Sequence, residues 1–412
     1  MERYDSYKDS GVEWIGEIPT NWKSKRFSYS IDIQKGKIPK NLTDEKLVDS
    51  LPYLSMGVLR GDKPKEFSNE SGIVHVSKGD IGLLWDGSNS GEVIRINREG
   101  ILSSTVSLLS LKDDSIDKEF CFYLLKFYEN DFRENTIGMG IPHVSGDHVR
   151  ESKLIIPTFS EQQKIVSFLD KKTSLIDSLI EKTQQKIELL KEKRTSLINE
   201  VVTKGLNHNV EMKDSSVEWI GEIPSHWEIT KMKYGVNHLS EKGKPEKSDI
   251  KISPENVESD TGVCFNLYSE HESEGMRFQS GDILLNKLRL YLKKILYTEY
   301  DGFSLGEMIV LRTNNKLNNK YFYQLLFSQG LIDLLDSQST GIKLPRVSPE
   351  VILNTEIIYP PLSEQQQIVE YLDEQTQLID KTITIEEKRI ELLKEYRQSL
   401  ISEVVTGKRK VV

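Results

Sequence analysis

Two long stretches of the chain repeat apolar residues in a seven-residue pattern. The stretches 160–204 and 363–406 contain neither proline nor glycine, and Gly205 and Gly407 follow them. This pattern predicts two helices, each about 65 Å long at roughly 1.5 Å rise per residue, that bury their apolar stripes against each other. The predicted interface residues are Val166, Leu169, Ile176, Ile180, Ile187, Leu190 and Leu197 in the first helix and Val369, Leu372, Ile379, Ile383, Ile390, Leu393 and Leu400 in the second, with Thr173, Thr183, Arg194, Val201, Thr376 and Val404 at the remaining seam positions.

Each helical stretch opens with a possible capping box. Ser160 is followed three residues later by Gln163, and Ser363 by Gln366. In this arrangement the serine caps the helix and the glutamine side chain reaches back to the cap. The sequence therefore predicts that the helices begin at Ser160 and Ser363.

The residues that precede each helix show a different pattern. Short β-branched and aromatic runs separated by turns fill both regions, such as GIVHVSKGDIGLLWDGSNSGEVIRI at 72–96 and GMRFQSGDILLNKLRLYLKKILY at 275–297. A helical patch follows each of them, at 120–128 and 320–328. This alternation predicts an α+β globule with a curved sheet before each long helix.

The chain is one unit of about 200 residues written twice. DSGVEWIGEIPTNW at 9–22 returns as DSSVEWIGEIPSHW at 214–227 with eleven identical positions, and 160–204 matches 363–407 at 27 of 45 positions. The repeat divides the chain into a globule at 1–158, a helix at 159–205, a globule at 206–361, a helix at 362–407 and a basic tail at 408–412.

The two copies diverge unevenly. The helices are near copies, whereas the globules share little beyond turns and the opening phrase. Such selectivity is expected when a common scaffold carries two sites of different specificity. We expect the repeated phrase to pack each globule onto the helices through Trp14, Ile15, Trp22, Trp219, Ile220 and Trp227.

Composition narrows the class of protein. A length of 412 residues predicts two or more domains, and 37% hydrophobic with 29% charged residues is typical of a soluble globular protein. The polar first ten residues and the lack of a long apolar run predict neither a signal peptide nor a membrane span. The two cysteines, Cys121 and Cys264, form no CxxC pair, so we expect a reducing cytoplasm and no cysteine-based zinc site.

The sequence contains no recognisable set of catalytic residues. None of the Gly-Lys pairs is followed by serine or threonine, as a phosphate-binding loop requires. IYPPL at 358–362 has tyrosine where an adenine methyltransferase needs asparagine or aspartate, and the seven histidines have no metal-ligand spacing. His143, in PHVS at 142–145, is interpreted as a turn residue. We therefore expect neither catalysis nor a metal in this chain.

The residues resemble one known family. The phrase GVEWIGEIP, the turn GDI in each globule, the closing IIPTFSEQQKIV and IIYPPLSEQQQIV, and the helix ends INEVVTKG and ISEVVTGK are similar to the specificity subunit of type I restriction-modification systems. The resemblance covers essentially the whole chain. It implies two target recognition domains, separated by an antiparallel helix pair, that each read one half of a split double-stranded DNA target.

The same resemblance implies partners and cofactors. Two modification subunits would bind the helices and methylate adenine with S-adenosylmethionine, and restriction subunits would add ATP-dependent cleavage with magnesium. This chain would then hold no cofactor and would be the non-catalytic reader of the complex.

DNA-reading residues are predicted from side chains that form directional hydrogen bonds near cations. The net charge of −9 argues against a DNA partner only weakly, because the basic residues cluster in short segments. Turns between apolar runs supply the polar groups, and Asn89 and Asn286 suit adenine while Arg289 suits guanine. The alternative for each of these three residues is a role in the turn alone. The predicted DNA-binding residues are Lys35, Lys37, Lys40, Arg60, Lys63, Asp86, Ser88, Asn89 and Ser90 in the first globule and Asn286, Lys287, Arg289, Lys343 and Arg346 in the second.

One alternative comes from a different class of protein. A duplicated coiled-coil adaptor, whose helices recruit partners and whose globules bind protein, would show the same repeat and the same lack of catalytic residues. Neighbouring genes for an adenine methyltransferase and a helicase-type nuclease would favour DNA recognition over this alternative.

Overall fold

The computed structural model describes residues 3–138, 140–270, 273–341 and 343–411. Residues 1, 2, 139, 271, 272, 342 and 412, which fall within the predicted globules and tail, lie outside the described residues. The chain forms two compact units, here called unit 1 (Met1–Lys182 with Arg389–Val412) and unit 2 (Thr183–Lys388). Each unit therefore contains one globule and a segment of both long helices. None of the described helices is long and apolar enough to cross a membrane.

The first globule contains strands, short helices and the start of the first long helix. In chain order its elements are β1 Tyr7–Asp9, β2 Glu17–Pro19, β3 Lys23–Arg26, α1 Phe27–Ser30, β4 Ile31–Lys35, β5 Leu51–Leu54, α2 Met56–Leu59, β6 Phe67–Ser68, β7 His75–Val76, β8 Ile81–Leu84, β9 Val93–Arg95, β10 Gly100–Leu102, β11 Val106–Leu111, α3 Lys118–Glu134, β12 Thr136–Ile137, β13 His143–Val144, α4 Gly146–Glu151, β14 Lys153–Ile156 and α5 Phe159–Lys204.

The second globule repeats this order with small changes. Its elements are β15 Met212–Asp214, β16 Glu222–Pro224, β17 Glu228–Lys231, β18 Val236–Leu239, β19 Lys242–Gly243, β20 Lys251–Ile252, β21 Gly275–Phe278, β22 Ile283–Asn286, β23 Ile295–Tyr297, β24 Gly302–Ser304, β25 Met308–Thr313, α6 Asn319–Leu326, α7 Gln329–Ser337, α8 Pro349–Asn354, β26 Glu356–Tyr359 and α9 Leu362–Val405, with 3-10 turns at Met232–Tyr234, Pro254–Asn256 and Leu290–Leu292.

The core of each globule is a four-stranded antiparallel sheet. Its strand order is β4-β11-β8-β9 in unit 1 and β18-β25-β22-β23 in unit 2. A second sheet, β6-β5-β10-β7 or β19-β21-β24-β20, contains one parallel pair. The predicted α+β fold, with two globules and long helices, is confirmed.

One interior strand of each main sheet, β8 in unit 1 and β22 in unit 2, is buried on both faces. In β8, Ile81 and Leu83 pack into the cluster that includes α3 and α5, while Leu84 faces the second sheet. In unit 2, Leu285 and Leu284 divide in the same way between two clusters. Because side chains alternate along a strand, one sheet can hold the helices on one face and the second sheet on the other.

The two long helices pair in each unit. In unit 1, Arg397 Nε lies 2.9 Å from Asp177 Oδ1, and in unit 2 the equivalent pair, Arg194 Nε and Asp380 Oδ1, lies at 3.1 Å. A further pair in unit 2 joins Lys186 Nζ to Glu386 Oε1 at 2.6 Å. Residue numbers rise along α5 between the two unit 2 pairs as they fall along α9, so the helices run antiparallel there.

Burial along the long helices includes the predicted seam and extends beyond the heptad pattern. None of the named seam residues is exposed. Neighbouring apolar residues are also buried near the helix ends, because the helices there pack into the globules as well as against each other. These additional residues are Ile165, Ile198 and Val202 in α5 and Ile368, Ile401 and Val405 in α9.

The predicted capping boxes are wrong. Helix α5 begins at Phe159, and the first helical hydrogen bond runs from Gln162 N to Thr158 O, so Ser160 lies inside the first turn. Likewise α9 begins at Leu362. The glutamine that joins the helix start to the globule is Gln162, one residue before the predicted Gln163. Gln162 is fully buried, accepts a bond from Asp117 N at 2.7 Å and donates to Ser115 O and Pro157 O at 2.9 and 3.0 Å.

Gln365 makes the same contacts in unit 2. It accepts from Asn318 N at 2.7 Å and donates to Pro360 O at 2.8 Å and Lys316 O at 3.3 Å. Asp117 and Asn318 are the residues that cap α3 and α6. Each buried glutamine therefore fixes the start of a long helix to the start of the globule's own helix.

The buried residues of the repeated opening phrase pack into the clusters that include the long helices, as predicted, whereas Trp14 is 45% exposed and contacts α3. Ile15, Trp22, Ile220 and Trp227 are buried, and Trp14 lies with its ring centroid 5.0 Å from that of Phe127. Trp219 packs against the main cluster of unit 2.

The two buried tryptophans of this phrase cover the helix ends. A Cβ on Gly407 would lie 3.2 Å from the Trp22 ring, and one on Gly205 would lie 3.0 Å from the Trp227 ring. These glycines have φ of +73° and +74°, the left-handed conformation that commonly ends a helix. Each globule thus packs on the C-terminal end of the helix from the other repeat.

We expect Gln162→Ala to lower the free energy of unfolding by about 2 to 4 kcal/mol, because it removes three hydrogen bonds of a buried side chain, one buried and two partly buried, and leaves a cavity. Urea denaturation measures the change. The matched control is Gln163→Ala, which removes an exposed glutamine and should change stability by less than about 0.5 kcal/mol. Equal losses in both variants would contradict the role assigned to Gln162.

Candidate nucleic-acid interface

Two loops lie side by side in each unit, and main-chain hydrogen bonds hold them together. In unit 1 the loop 85–90 follows β8, and the loop 140–145 contains β13. Gly87 N donates to Pro142 O at 3.0 Å, and Val144 N donates to Trp85 O at 2.9 Å. A bridge between Asp86 and His143 lies between these bonds. We call these segments the paired loops of unit 1.

Unit 2 has the same main-chain arrangement in its paired loops, 287–289 and 343–348. Arg289 N donates to Pro345 O at 2.9 Å, and Val347 N donates to Lys287 O at 3.1 Å. Leu288 and Arg346 form the bridge. The two units therefore hold different side chains on an equivalent backbone.

A carboxylate in the paired loops of unit 1 contacts a lysine of β4 and a histidine of the second loop. Asp86 Oδ2 lies 2.8 Å from Lys35 Nζ, and Asp86 Oδ1 lies 2.6 Å from His143 Nδ1. Partial burial raises the pKa of Asp86, but the bonds from Lys35 and His143 outweigh burial and hold that pKa below its usual value. Asp86 is therefore ionised at neutral pH, with both oxygens engaged by protein side chains.

In unit 2, Glu307 likewise contacts two basic side chains, but it lies at a different place in the fold. Its Oε1 lies 2.6 Å from Arg346 Nη2, and its Oε2 lies 3.4 Å from Lys287 Nζ. Glu307 directly precedes β25, whereas Asp86 follows β8. Neither ion-pair cluster was predicted from the sequence, because the members of each are far apart along the chain.

The other predicted residues differ in how accessible they are. Ser88 is exposed and Asn89 is partly exposed, but Ser90 is buried. Asn286, the last residue of β22, is also buried, and its Oδ1 accepts the Leu288 N–H at 3.2 Å. In this structure Ser90 and Asn286 shape the turns and do not reach the surface.

The predicted cations fall into two groups. Arg60 is paired with Glu92 at 2.9 Å, and Lys35, Lys287 and Arg346 belong to the clusters above. The second group is exposed, and its charged groups have no carboxylate partner within the part of the chain that the structure describes. This group consists of Lys37, Lys40, Lys63, Arg289 and Lys343.

Arg289 has an unusual backbone. Its φ is +52°, in the left-handed region, and Gly87 is at the equivalent place in unit 1 with φ of +113°. The Arg289 N–H bond to Pro345 O places the base of this exposed side chain beside Arg346.

His143 is a residue that sequence reasoning assigned only to a turn. It lies in β13 as part of a hairpin, and 47% of its side chain is exposed while Asp86 holds its Nδ1. The repeat contains a signal for this residue, because PHVS at 142–145 aligns with PRVS at 345–348 and His143 therefore corresponds to Arg346, a predicted DNA-binding residue.

We expect Glu307→Ala to change the free energy of unfolding by no more than about 1 kcal/mol, because its ion pairs are partly exposed to water. Asp282→Ala is the matched comparison in the same unit. Asp282 is buried and accepts two bonds from Arg312, at 2.6 and 2.7 Å, so its loss should cost about 2 kcal/mol or more. Urea denaturation of both variants checks this order, and a larger loss for Glu307→Ala would show that its cluster is structural.

Comparison with known proteins connects this architecture to a family. The profile described as Type I restriction modification DNA specificity domain matches residues 19–189 and 264–395. The chain is similar to the type I restriction enzyme MjaVIII specificity subunit of Methanocaldococcus jannaschii, with 30% identity over 426 residues, 96% of this chain and 94% of that protein. It is also 21% identical to the EcoDI specificity subunit of Escherichia coli over 380 residues, 87% of this chain and 82% of that protein.

Solved structures share the fold. A chain from a study of complex assembly and conformational transition of the type I R-M system aligns with a TM-score of 0.71 at 15% identity, covering 95% of this chain and 99% of that one. The HsdS subunit from Thermoanaerobacter tengcongensis aligns with a TM-score of 0.51 at 15% identity, covering 95% and 98%.

Proposed function

Because this chain belongs to the type I restriction-modification DNA specificity family, we propose that each of its units reads one half of a bipartite double-stranded DNA target. The observation that carries the proposal is the equivalent backbone of the paired loops in the two units, which present different polar side chains. Two such readers in one chain select a split sequence. The coiled-coil adaptor alternative gains no support from these relatives.

The proposed DNA surface in each unit is built on the paired loops. Ser88, Asn89, Lys287, Arg289 and Arg346 supply hydrogen-bonding groups that suit base edges. The exposed lysines suit phosphates, since their ammonium groups are mobile point charges. These phosphate-binding residues are Lys35, Lys37, Lys40, Lys63 and Lys343, with Arg60 beside them.

The net charge of −9 is compatible with this proposal. Attraction of DNA depends on the local potential at the contact surface more than on the total charge. Many of the acidic residues lie on the exposed faces of α5 and α9, away from the paired loops in sequence.

We assign catalysis to partner subunits. In this proposal two modification subunits methylate adenine with S-adenosylmethionine, and restriction subunits cleave DNA with ATP and magnesium. The chain itself selects the sequence. In this proposal the chain acts on DNA in the cytoplasm.

Exposed leucines support two equivalent partner sites on the helices. Leu175 and Leu378 occupy the same place in the two repeats, as do Leu189 and Leu392, and all four are more than half exposed. Unit 1 presents Leu175 and Leu392, and unit 2 presents Leu378 and Leu189. Exposed apolar side chains that recur in both copies are typical of an interaction surface. A duplicated surface implies two copies of one partner, which suits the modification subunits.

Segment exchange tests the two-reader proposal. We expect that replacing residues 28–157 with the matching segment of a relative will change one half of the methylated sequence and leave the other half intact, because each unit folds around its own core. Methylation sequencing of cells that also express the modification subunit measures both halves. The purified chain without partners should methylate nothing. A change in both halves would disprove separate reading.

We expect the double substitution Leu175→Glu and Leu392→Glu to remove one modification subunit from the assembled complex, because it places charges on the proposed apolar contact of unit 1. Leu378→Glu with Leu189→Glu should do the same for unit 2, and all four together should leave no bound partner. Analytical ultracentrifugation measures the mass. Ser174→Glu is the control, since it lies about 100° around the helix from Leu175. Unchanged stoichiometry in the quadruple variant would exclude this surface.

A further inference from the structure

His143 and Arg346 occupy the same place in the two repeats. Each follows a proline in the paired loops, and each side chain is about half exposed, at 47% and 50%. A carboxylate holds each of them at 2.6 Å: Asp86 holds His143 and Glu307 holds Arg346. The same local arrangement therefore exists in both units with different residue types.

The two carboxylates are not equivalent in the repeat. Asp86 pairs through the main chain at the place that Leu288 occupies in unit 2, whereas Glu307 comes from the edge of β25. Each carboxylate also contacts a lysine, Lys35 or Lys287. A hydrogen-bonding side chain held by a carboxylate is thus present at this loop position in both units, although the carboxylate comes from a different element.

Loop stability does not require these ion pairs. Main-chain hydrogen bonds already join the paired loops in both units. Half-exposed ion pairs typically add less than about 1 kcal/mol to stability. The effect that remains is orientation, because a held side chain has fewer rotamers to lose when it binds a ligand.

The hydrogen bonds also determine which atoms remain available. An ionised carboxylate only accepts hydrogen bonds, so His143 Nδ1 carries the hydrogen that Asp86 accepts, and Nε2 is the ring atom left for a ligand. Arg346 uses Nη2 for Glu307 and retains the other N–H groups of its planar guanidinium. Phosphate binding does not need such fixed directions, but recognition of a base edge does.

We propose that His143 and Arg346 determine specificity, one in each half-site, by contacting base edges in the major groove, and that Asp86 and Glu307 position them. This inference rests on the proposed function of the chain as a DNA reader. Arg346 offers only donors, so its base is a guanine, whose O6 and N7 both accept. His143 Nε2 makes a single contact, and it differs from arginine in both reach and donor pattern.

The test uses the full chain assembled with its modification subunits and a DNA library randomised in both half-sites. Binding selection followed by sequencing measures discrimination at every position. We expect His143→Ala to lower discrimination roughly 10- to 100-fold at one position of one half-site, and Arg346→Ala to do so at a G·C pair of the other. The untouched half-site is the internal control in each experiment. His143→Arg should shift the preference at its position towards guanine.

Further variants separate positioning and charge from folding. Arg346→Lys keeps the charge but not the planar fork, so it should lose discrimination nearly as alanine does while keeping the salt dependence. Asp86→Ala should weaken discrimination at the same position as His143→Ala, and the double variant should lose little more than His143→Ala alone. Lys343→Ala is the phosphate control and should weaken binding to all sequences about equally. Thermal denaturation confirms that each variant is folded.

Two outcomes would overturn the inference. A uniform loss across all sequences with a smaller salt dependence in His143→Ala and Arg346→Ala would identify phosphate contacts. Unchanged discrimination in both folded variants would leave only a structural role. Failure of the proposed function looks different, since the unsubstituted complex would then select no sequence at all.

Discussion

Each globule is held between the start of its own helix and the C-terminal end of the helix from the other repeat. In unit 1, Gln162 fixes the start of α5 and Trp22 covers Gly407 at the end of α9. Unit 2 has the reciprocal contacts through Gln365 and Trp227. Both ends of both helices therefore make buried contacts with the globules. A change in the length of one helix would displace a buried end, so the two helices are constrained to matching lengths.

The polar residues of the helix seam follow from the same constraint. Arg194 and Arg397 occupy equivalent heptad positions, and each pairs with the aspartate that the other repeat supplies. Glu386 is buried in the seam, and its carboxylate forms an ion pair with Lys186. Charged groups inside a seam contribute less stability than apolar ones, but a shift of register would leave them unpaired. The two arginine pairs thus favour the antiparallel register in which the repeats match.

Sequence patterns predicted the repeat, the helices, their seam and the packing of the tryptophans, because these depend on short periods and on residue type. The sequence patterns did not predict the role of Gln162. A glutamine near the start of a helix is compatible both with a capping box and with a buried side chain that joins two segments, and the pattern does not distinguish them. Ser90 and Asn286 looked like surface polar residues, yet they are buried where a strand turns. The paired loops were not predictable in this way, because Asp86 and His143 are 57 residues apart and meet only when the sheet forms.

The backbone conformation and surroundings of Arg289, in the paired loops of unit 2, bear on its role. The equivalent residue in unit 1 is Gly87, and both have positive φ. A residue with a side chain costs roughly 1 to 2 kcal/mol more than glycine in this conformation. Glycine is therefore the stable choice, yet unit 2 has an exposed arginine there, beside Arg346 and without a carboxylate partner among the described residues. Asp49, Ser216 and Asp260 are also exposed with positive φ, so this conformation alone does not require a ligand. Arg289 differs from them because it adds a guanidinium to the paired loops, and under the proposed function that group suits the edge of a base or a phosphate.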